Sequence, residues 1–89
     1  MDETHVLRYL YEKLKINPDK QNQICLTQFD YEKISGSIAS KEDVLKINEI
    51  LLSLQNKGYI LCPRLKDRHI YAAWIKITEK TLNHFNKGV

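Results

Sequence analysis

A cluster of basic side chains lies in the stretch PRLKDRH, in the C-terminal third of the chain. Only Leu65 and the acid Asp67 interrupt it, and its members are Arg64, Lys66, Arg68 and His69. Cations at this density suit contact with phosphate, because each neutralised phosphate of a nucleic acid releases condensed counterions. A charged loop can also serve solubility alone. The cluster therefore indicates either a phosphate-binding loop or an ordinary charged tip.

The net charge of the chain is gathered at the same end. The formal charge is +3 at pH 7. Residues 1–58 contain 8 Lys/Arg and 9 Asp/Glu, a balance of −1, whereas residues 59–89 contain 6 and 2, a balance of +4. Basic charge concentrated at one end of a small protein favours a polyanionic partner.

The other chemically active side chains form no pattern that is typical of an enzyme. The histidines and cysteines lack zinc-finger or CxxC spacing, and they are His5, His69, His84, Cys25 and Cys62. The sequence has no Gly-rich phosphate loop, GxSxG or HExxH motif. We expect no enzymatic activity, metal, cofactor or small-molecule ligand. We expect both cysteines to be buried, reduced thiols, with a disulfide as the alternative.

Local patterns predict the elements that position the basic loop. Apolar residues at helical spacing predict a first helix with a buried face of Val6, Leu7, Leu10 and Leu14. Ile24–Leu26 is short and apolar, and it is predicted as a brief buried strand. Thr27 and Ser40 each precede a predicted helix as N-caps, with an acid three residues later. Between the two helices, the residues at 35–37 (SGS) indicate a tight turn.

A glycine separates the third helix from two strands. That helix is predicted to run to about Lys57, where Gly58 adopts the left-handed conformation that closes a helix. The stretches YILC (59–62) and IYAAWIKI (70–77) are rich in β-branched and aromatic residues and predict strands. Thr78 is predicted to cap a short final helix. The chain has 89 residues and no apolar run near the 20 that cross a bilayer, so we expect one cytoplasmic domain without membrane contact.

Three stretches carry a resemblance to a known superfamily: the L-x-x-x-G-Y-I pattern of Leu54–Ile60, the turn at Ser35–Ile38, and KITEKTL at Lys76–Leu82. Together they resemble small bacterial winged helix-turn-helix proteins of the broad MarR/PadR type. The resemblance implies an α+β fold in the order α1-β1-α2-α3-β2-β3-α4, with residues 1–89 as a single winged-helix domain. It also implies binding to double-stranded DNA, with the third helix in the major groove and the hairpin, or wing, on the backbone.

The DNA-binding residues expected from this resemblance lie on the second and third helices and in the basic loop. They are Lys33, Ser37, Ser40, Lys41, Lys46, Arg64, Lys66, Arg68 and His69. The exposed face predicted for the third helix argues partly against groove binding, because Glu42 and Glu49 would repel phosphates. Ordinary helix capping with a solvated lysine explains Ser40 and Lys41 equally well.

Some apolar residues are not required to fill one small core, and they predict a partner surface. Leu45 and Leu52 widen the apolar face of the third helix. If Tyr71, Ala73, Ile75 and Ile77 face the helices, then Ile70, Ala72, Trp74 and Lys76 face outward, with Trp74 near Tyr59 and Leu61. An exposed aromatic patch favours a partner surface, although the first or last helix covering Trp74 is the alternative. We expect a homodimer.

The sequence as a whole favours a sequence-selective DNA-binding protein. It would act as a small transcriptional regulator, or as an accessory protein at an origin of transfer or replication on a plasmid or other mobile element. Two alternatives remain open. One is a winged helix retained as a protein-interaction module, which the acidic third helix favours. The other is a binder of single-stranded nucleic acid that uses the basic loop with Tyr71 or Trp74 as stacking platforms.

Overall fold

Helices and short strands follow one another in the predicted order. The computed structural model describes residues 2–63, 65, 71–72 and 74–86, and within these residues the fold is α+β with four helices and three strands. The elements are α1 (Glu3–Ile16), β1 (Gln23–Cys25), α2 (Gln28–Ser35), α3 (Lys41–Asn56), β2 (Ile60–Leu61), β3 (Trp74–Ile77) and α4 (Glu79–Asn86). The predicted element order is confirmed. None of the helices in the described part of the chain is long and apolar enough to cross a membrane.

Helix α1 begins at a cap that the sequence analysis did not predict. The Asp2 carboxylate accepts a hydrogen bond from the His5 amide at 2.8 Å, which satisfies one of the amides left unpaired at the start of a helix. The buried face of α1 is the predicted one, Val6, Leu7, Leu10 and Leu14. This face packs against α3 and anchors the core.

The predicted caps and the turn between α2 and α3 are present. The Asp30 carboxylate accepts from the Thr27 amide at 2.8 Å, and the Asp43 carboxylate accepts from the Ser40 amide at 3.1 Å. Between the helices, Gly36 ends α2 with φ at +83°, a conformation that side chains with a Cβ rarely adopt. The glycine therefore sets the sharp turn between α2 and α3.

The end of α3 is a Schellman motif built on Gly58, whose φ is +85°. The Tyr59 amide donates to the Leu54 carbonyl and the Gly58 amide to the Gln55 carbonyl, both at 3.0 Å. The first turn of α1 also braces this end, since the Glu3 carboxylate accepts from the Ser53 hydroxyl and, at 2.6 Å, from Lys57 Nζ.

The sheet is antiparallel in the order β1-β3-β2, so β3 is its central strand. Ile24 pairs with Ile75 across β1 and β3, and Leu61 pairs with Lys76 across β2 and β3. Ile75 and Ile77 are buried, whereas Trp74 and Lys76 are exposed, so one face of the sheet covers the core and the other faces outward.

Both hairpin strands are shorter than predicted, because main-chain amides at their ends donate to side chains elsewhere. The Cys62 amide donates to Gln55 Oε1 at 2.7 Å, and β2 ends at Leu61. The Ala72 amide donates to the Tyr31 hydroxyl at 2.8 Å, which draws Ala72 into the core at 3% exposure. The prediction that Ala72 shares the outward face with Trp74 is therefore wrong. Residues 70 and 73 of the predicted strand lie outside the described residues.

Helix α4 is held by main-chain carbonyls at the α3–β2 junction. The Thr78 hydroxyl donates to Gly58 O at 2.6 Å and to Tyr59 O at 2.8 Å, and the Thr81 hydroxyl donates to Tyr59 O at 2.5 Å. The Phe85 ring stacks on Tyr11 of α1 at a centroid distance of 4.6 Å. Thr78 directly precedes α4, and its hydroxyl joins the helix to the α3–β2 junction.

Candidate nucleic-acid interface

The turn between α2 and α3 presents Lys33 and Ser37 on one shallow groove. Its volume is about 270 Å³, and it is lined by Phe29, Glu32, Lys33, Gly36 and Ser37. Phe29 is 62% exposed, and Lys33 Nζ lies 5.3 Å from the centre of its ring. The structure thus brings together two of the predicted DNA-binding residues and adds an aromatic face that the sequence analysis did not single out.

The first turn of α3 uses Ser40 for capping. Its hydroxyl oxygen lies 3.2 Å from the Asp43 amide, from which it accepts, and 3.0 Å from the Asp43 carboxylate. The geometry matches the ordinary capping alternative, which commits the Ser40 side chain within the helix. Lys41 and Lys46 are exposed and stand free of that cap. They are the side chains of α3 that could reach a phosphate or a base.

Helix α3 as a whole is not basic. It carries two lysines, Lys41 and Lys46, against the acids Glu42, Asp43 and Glu49, so its formal charge is 2 − 3 = −1. Asp43 is engaged at the cap, and Glu42 and Glu49 are exposed acids on the same helix as the two lysines. Any strong attraction of this region to a polyanion must therefore come from outside α3.

The predicted basic loop joins β2 to β3, and its cations lie outside the described residues: Arg64, Lys66, Arg68 and His69. The strand residues on both sides of the loop are described. The hairpin pairs through Ile60 with Ile77 and through Leu61 with Lys76. These pairs fix where the loop leaves the sheet and where it returns.

A buried tyrosine ties this hairpin to the α2–α3 pair. The Tyr31 hydroxyl of α2 donates to Asn48 Oδ1 of α3 at 2.5 Å and accepts from the Ala72 amide at 2.8 Å. Burial raises the pKa of Tyr31 to about 12, although the hydrogen bond from Ala72 opposes this effect. The edge of the Tyr71 ring packs against Tyr31, with the centroids 4.8 Å apart. One side chain thus connects three elements of the site.

The roles of Tyr31 and Asn48 were not predicted from the sequence, although one signal was present. Asn48 follows Ile47 and precedes Leu51 on the apolar face of α3, and it is fully buried. A polar residue at a core position requires a hydrogen-bonding partner. That requirement could have prompted a search for a partner on α2.

A second buried polar network fixes α2 against α1. The Asp30 carboxylate is 1% exposed and accepts from the Tyr9 hydroxyl at 2.7 Å and from Lys13 Nζ at 2.9 Å. Burial raises the pKa of Asp30, but the hydrogen bonds from Tyr9, Lys13 and Thr27 outweigh it, so the net pKa lies below its ordinary value of 3.8. Burial also raises the pKa of Tyr9, and the Asp30 carboxylate adds to this effect. The network serves to orient α2.

The predicted partner residues separate into three places. Trp74 and Leu61, each 47% exposed, border a groove of about 360 Å³ on the outer face of the sheet, and no residue of α1 or α4 lines it. Tyr59 lies instead under α4, with Lys80 Nζ 4.5 Å from its ring centre. Leu45 and Leu52 are half-buried on α3, and Leu52 packs against the core.

The thiols and the acidic side chains offer little further chemistry among the described residues. Cys25 and Cys62 are both free thiols. Cys62 is buried as predicted, and burial raises its pKa, whereas Cys25 is only half-buried. Within residues 2–63, 65, 71–72 and 74–86, no group of three or more His, Cys, Asp or Glu side chains could hold a metal ion. No protein-family model, characterised protein or solved structure matches this chain.

Proposed function

We propose that this chain is a winged helix-turn-helix protein that binds double-stranded DNA sequence-selectively. One observation carries the proposal: α3 passes through Gly58 into the antiparallel β2–β3 pair, whose connecting loop holds the basic cluster. A helix of 16 residues, about 24 Å long, would then lie next to a cationic hairpin. In a winged helix, these two elements contact the groove and the adjacent backbone.

The negative formal charge of α3 suggests that α3 and the basic loop between β2 and β3 contribute differently to DNA binding. A helix with a formal charge of −1 gains little from the phosphates, so the loop would supply the affinity that does not depend on sequence. Lys46, in the middle of α3, suits a guanine edge. Lys33, Lys41 and Ser37 lie near the turn and would contact phosphates. We propose that α3 reads bases and that the loop holds the backbone.

A dimer would complete the recognition. Two copies related by a two-fold axis would present their α3 helices about 34 Å apart, one helical turn of DNA, and would read a pseudo-palindrome. Occupancy of such a site would regulate transcription or mark an origin on a mobile element. The half-buried Leu45 of α3 is a candidate for the contact between copies.

The experiment is a fluorescence-anisotropy titration of labelled duplex pools at two salt concentrations. Arg64→Glu combined with Arg68→Glu should abolish duplex binding, because two phosphate contacts become repulsive. The matched control is Arg8→Glu with Lys15→Glu, which makes the same charge change on the face of α1 that carries α4. The control should retain duplex binding, with at most a modest loss. Equal losses in both variants would mean that net charge alone drives binding, which contradicts a positioned loop.

Single lysine variants separate base reading from backbone contact. Lys41→Ala should weaken binding to all duplexes about equally and reduce the slope of log K against log salt by about 0.9. Lys46→Ala should instead relax the sequence preference in a selection from a random duplex pool, at a cost of about 1–3 kcal/mol for the preferred site. An absence of duplex binding by the unmodified protein at low salt would refute the proposal and favour a protein-interaction module.

A further inference from the structure

The outer face of the sheet is a surface that no described helix covers. The strand pairing aligns Gln23, Lys76 and Leu61 in one row across β1, β3 and β2. In the next row, Trp74 lies opposite Cys25. Because Ile75 and Ile77 are fixed in the core at 1% and 0% exposure, the strand alternation holds Trp74 and Lys76 outward.

The chemistry of this face combines an aromatic plane with cations. Trp74 leaves 47% of its surface exposed, and Lys76 follows two residues later on the same strand and is also exposed. Six described residues line the groove, and none has a carboxylate: Gln23, Leu61, Pro63, Trp74, Ile75 and Lys76. An adjoining groove of about 460 Å³ shares Leu61 and Lys76 and contributes Lys20, with Glu79 as its acid.

The exposed Trp74 and Lys76 favour one of three possible ligands of this face: a second copy of the chain, a DNA duplex or an unpaired nucleic-acid strand. If a second copy docked by the same face, Lys76 of each groove would face the other copy, and no described residue of the groove supplies a carboxylate to offset the repulsion. A DNA duplex keeps its base faces stacked inside the helix and offers no ring to Trp74. An unpaired strand offers both a ring to stack on Trp74 and a phosphate for Lys76.

We propose that the outer face of the sheet binds single-stranded nucleic acid, with Trp74 as the stacking platform and Lys76 as a phosphate contact. Gln23, opposite Lys76, presents an amide that can hydrogen-bond to a base edge. This surface is separate from the exposed face of α3, and its binding does not depend on duplex recognition. A protein with both surfaces would suit a junction between paired and unpaired strands.

Trp74 is the only tryptophan in the chain, so its fluorescence reports directly on this face. Titration with oligothymidylate and, in a parallel arm, oligouridylate should quench the tryptophan emission saturably. The two arms distinguish single-stranded DNA from RNA, and the tighter of them identifies the natural strand. No quenching by either oligonucleotide would overturn the proposal. Emission that changes with protein concentration alone would indicate self-association through this face and would also overturn it.

Variants measured by anisotropy of labelled oligonucleotides test the stacking itself. Trp74→Leu should weaken single-strand binding about 5- to 150-fold, while Trp74→Phe keeps a ring and should recover most of it. The matched control is Tyr11→Leu, which removes a half-buried aromatic ring on α1, outside both proposed surfaces, and should have no effect. Lys76→Gln should reduce the salt slope by about 0.7, the value for one phosphate of a single strand.

The same variants keep this proposal distinct from duplex binding. Trp74→Leu should leave duplex affinity unchanged, whereas the Arg64→Glu, Arg68→Glu variant should lose it. Either proposal can therefore fail while the other stands. Single-strand binding that survives Trp74→Leu and disappears only with the two arginine substitutions would assign the strand to the basic loop and overturn the role of the sheet.

Discussion

Replacing Tyr31 by phenylalanine removes one oxygen atom from a fully buried position. That oxygen donates to Asn48 Oδ1 at 2.5 Å and accepts from the Ala72 amide at 2.8 Å. A hydrogen bond between neutral groups stabilises a fold by about 0.5–1.5 kcal/mol, and a buried donor left without its acceptor costs about 1–3 kcal/mol. Tyr31→Phe should therefore destabilise the protein by about 2–3 kcal/mol. For a chain of this length, that is a large part of a total of about 5–13 kcal/mol.

Urea unfolding of Tyr31→Phe beside Tyr11→Phe measures this loss with a matched control. The Tyr11 hydroxyl donates to Asn86 Oδ1 at 3.0 Å in an exposed bond, so its removal should change the unfolding free energy by no more than about 0.5 kcal/mol. The midpoint of Tyr31→Phe should shift at a constant m value. Hydrogen exchange of the Ala72 amide should also accelerate relative to core amides of α3, because that amide loses its acceptor.

The pH dependence provides an independent check of the same group. Burial raises the pKa of Tyr31 to about 12, above the value of about 10 for an unfolded tyrosine. The contribution of the Tyr31 hydroxyl to the free energy of unfolding is therefore complete below pH 10 and is lost as the pH rises through about 12. The stability difference between the unmodified protein and Tyr31→Phe should shrink over that range. Equal stabilities of the two Tyr→Phe variants at neutral pH would refute the reasoning.

Three further predictions concern single positions. Asp30→Asn should lower the free energy of unfolding by about 2–3 kcal/mol, since it removes the charge paired with Lys13. Folding lowers the pKa of Asp30. Urea unfolding should therefore show the full stability difference between the unmodified protein and Asp30→Asn above pH 4, and a smaller difference as the pH falls through the folded pKa. Gly36→Ala should lower the free energy of unfolding by about 1–2 kcal/mol. The loss comes from the φ of +83° alone, because nothing lies within 4 Å of the added Cβ. Gly36→Asn should lower the free energy of unfolding less in the same assay. In a Cys25→Ser background, Cys62 should react with a disulfide reagent only after unfolding, and rapid labelling of the native protein would contradict its burial.

Helices and caps could be predicted because their determinants are local. The buried face of α1 follows from residues three and four apart, and the cap of α3 follows from Ser40 and Asp43. The left-handed glycines at 36 and 58 follow from their positions after helical runs. Each of these features depends on side chains within a few residues of one another, which a single sequence displays directly.

Strand limits and the internal connections of the site could not be predicted in the same way. Cys62 leaves the sheet because of Gln55, and Ala72 turns inward because of Tyr31, a residue 41 positions earlier. No local pattern encodes such a pair. The outward direction of Trp74 follows from the alternation of residues 74–77, but the same alternation extended to Ala72 is wrong. The DNA-binding assignment of Lys33 and the other basic residues stays a prediction.

The position of β3 in the sheet has a consequence for the synthesis of the protein. Both neighbours of this central strand precede it in the chain, and they do not pair with each other. During translation, β1 and β2 therefore emerge without a hydrogen-bonding partner, and the sheet can form only after Ile77 has left the ribosome. Until then, α1 and α3 can associate through their apolar faces, while Ile24 and Ile60 remain uncovered by β3. The nascent chain should therefore bind chaperones until these last strand residues emerge.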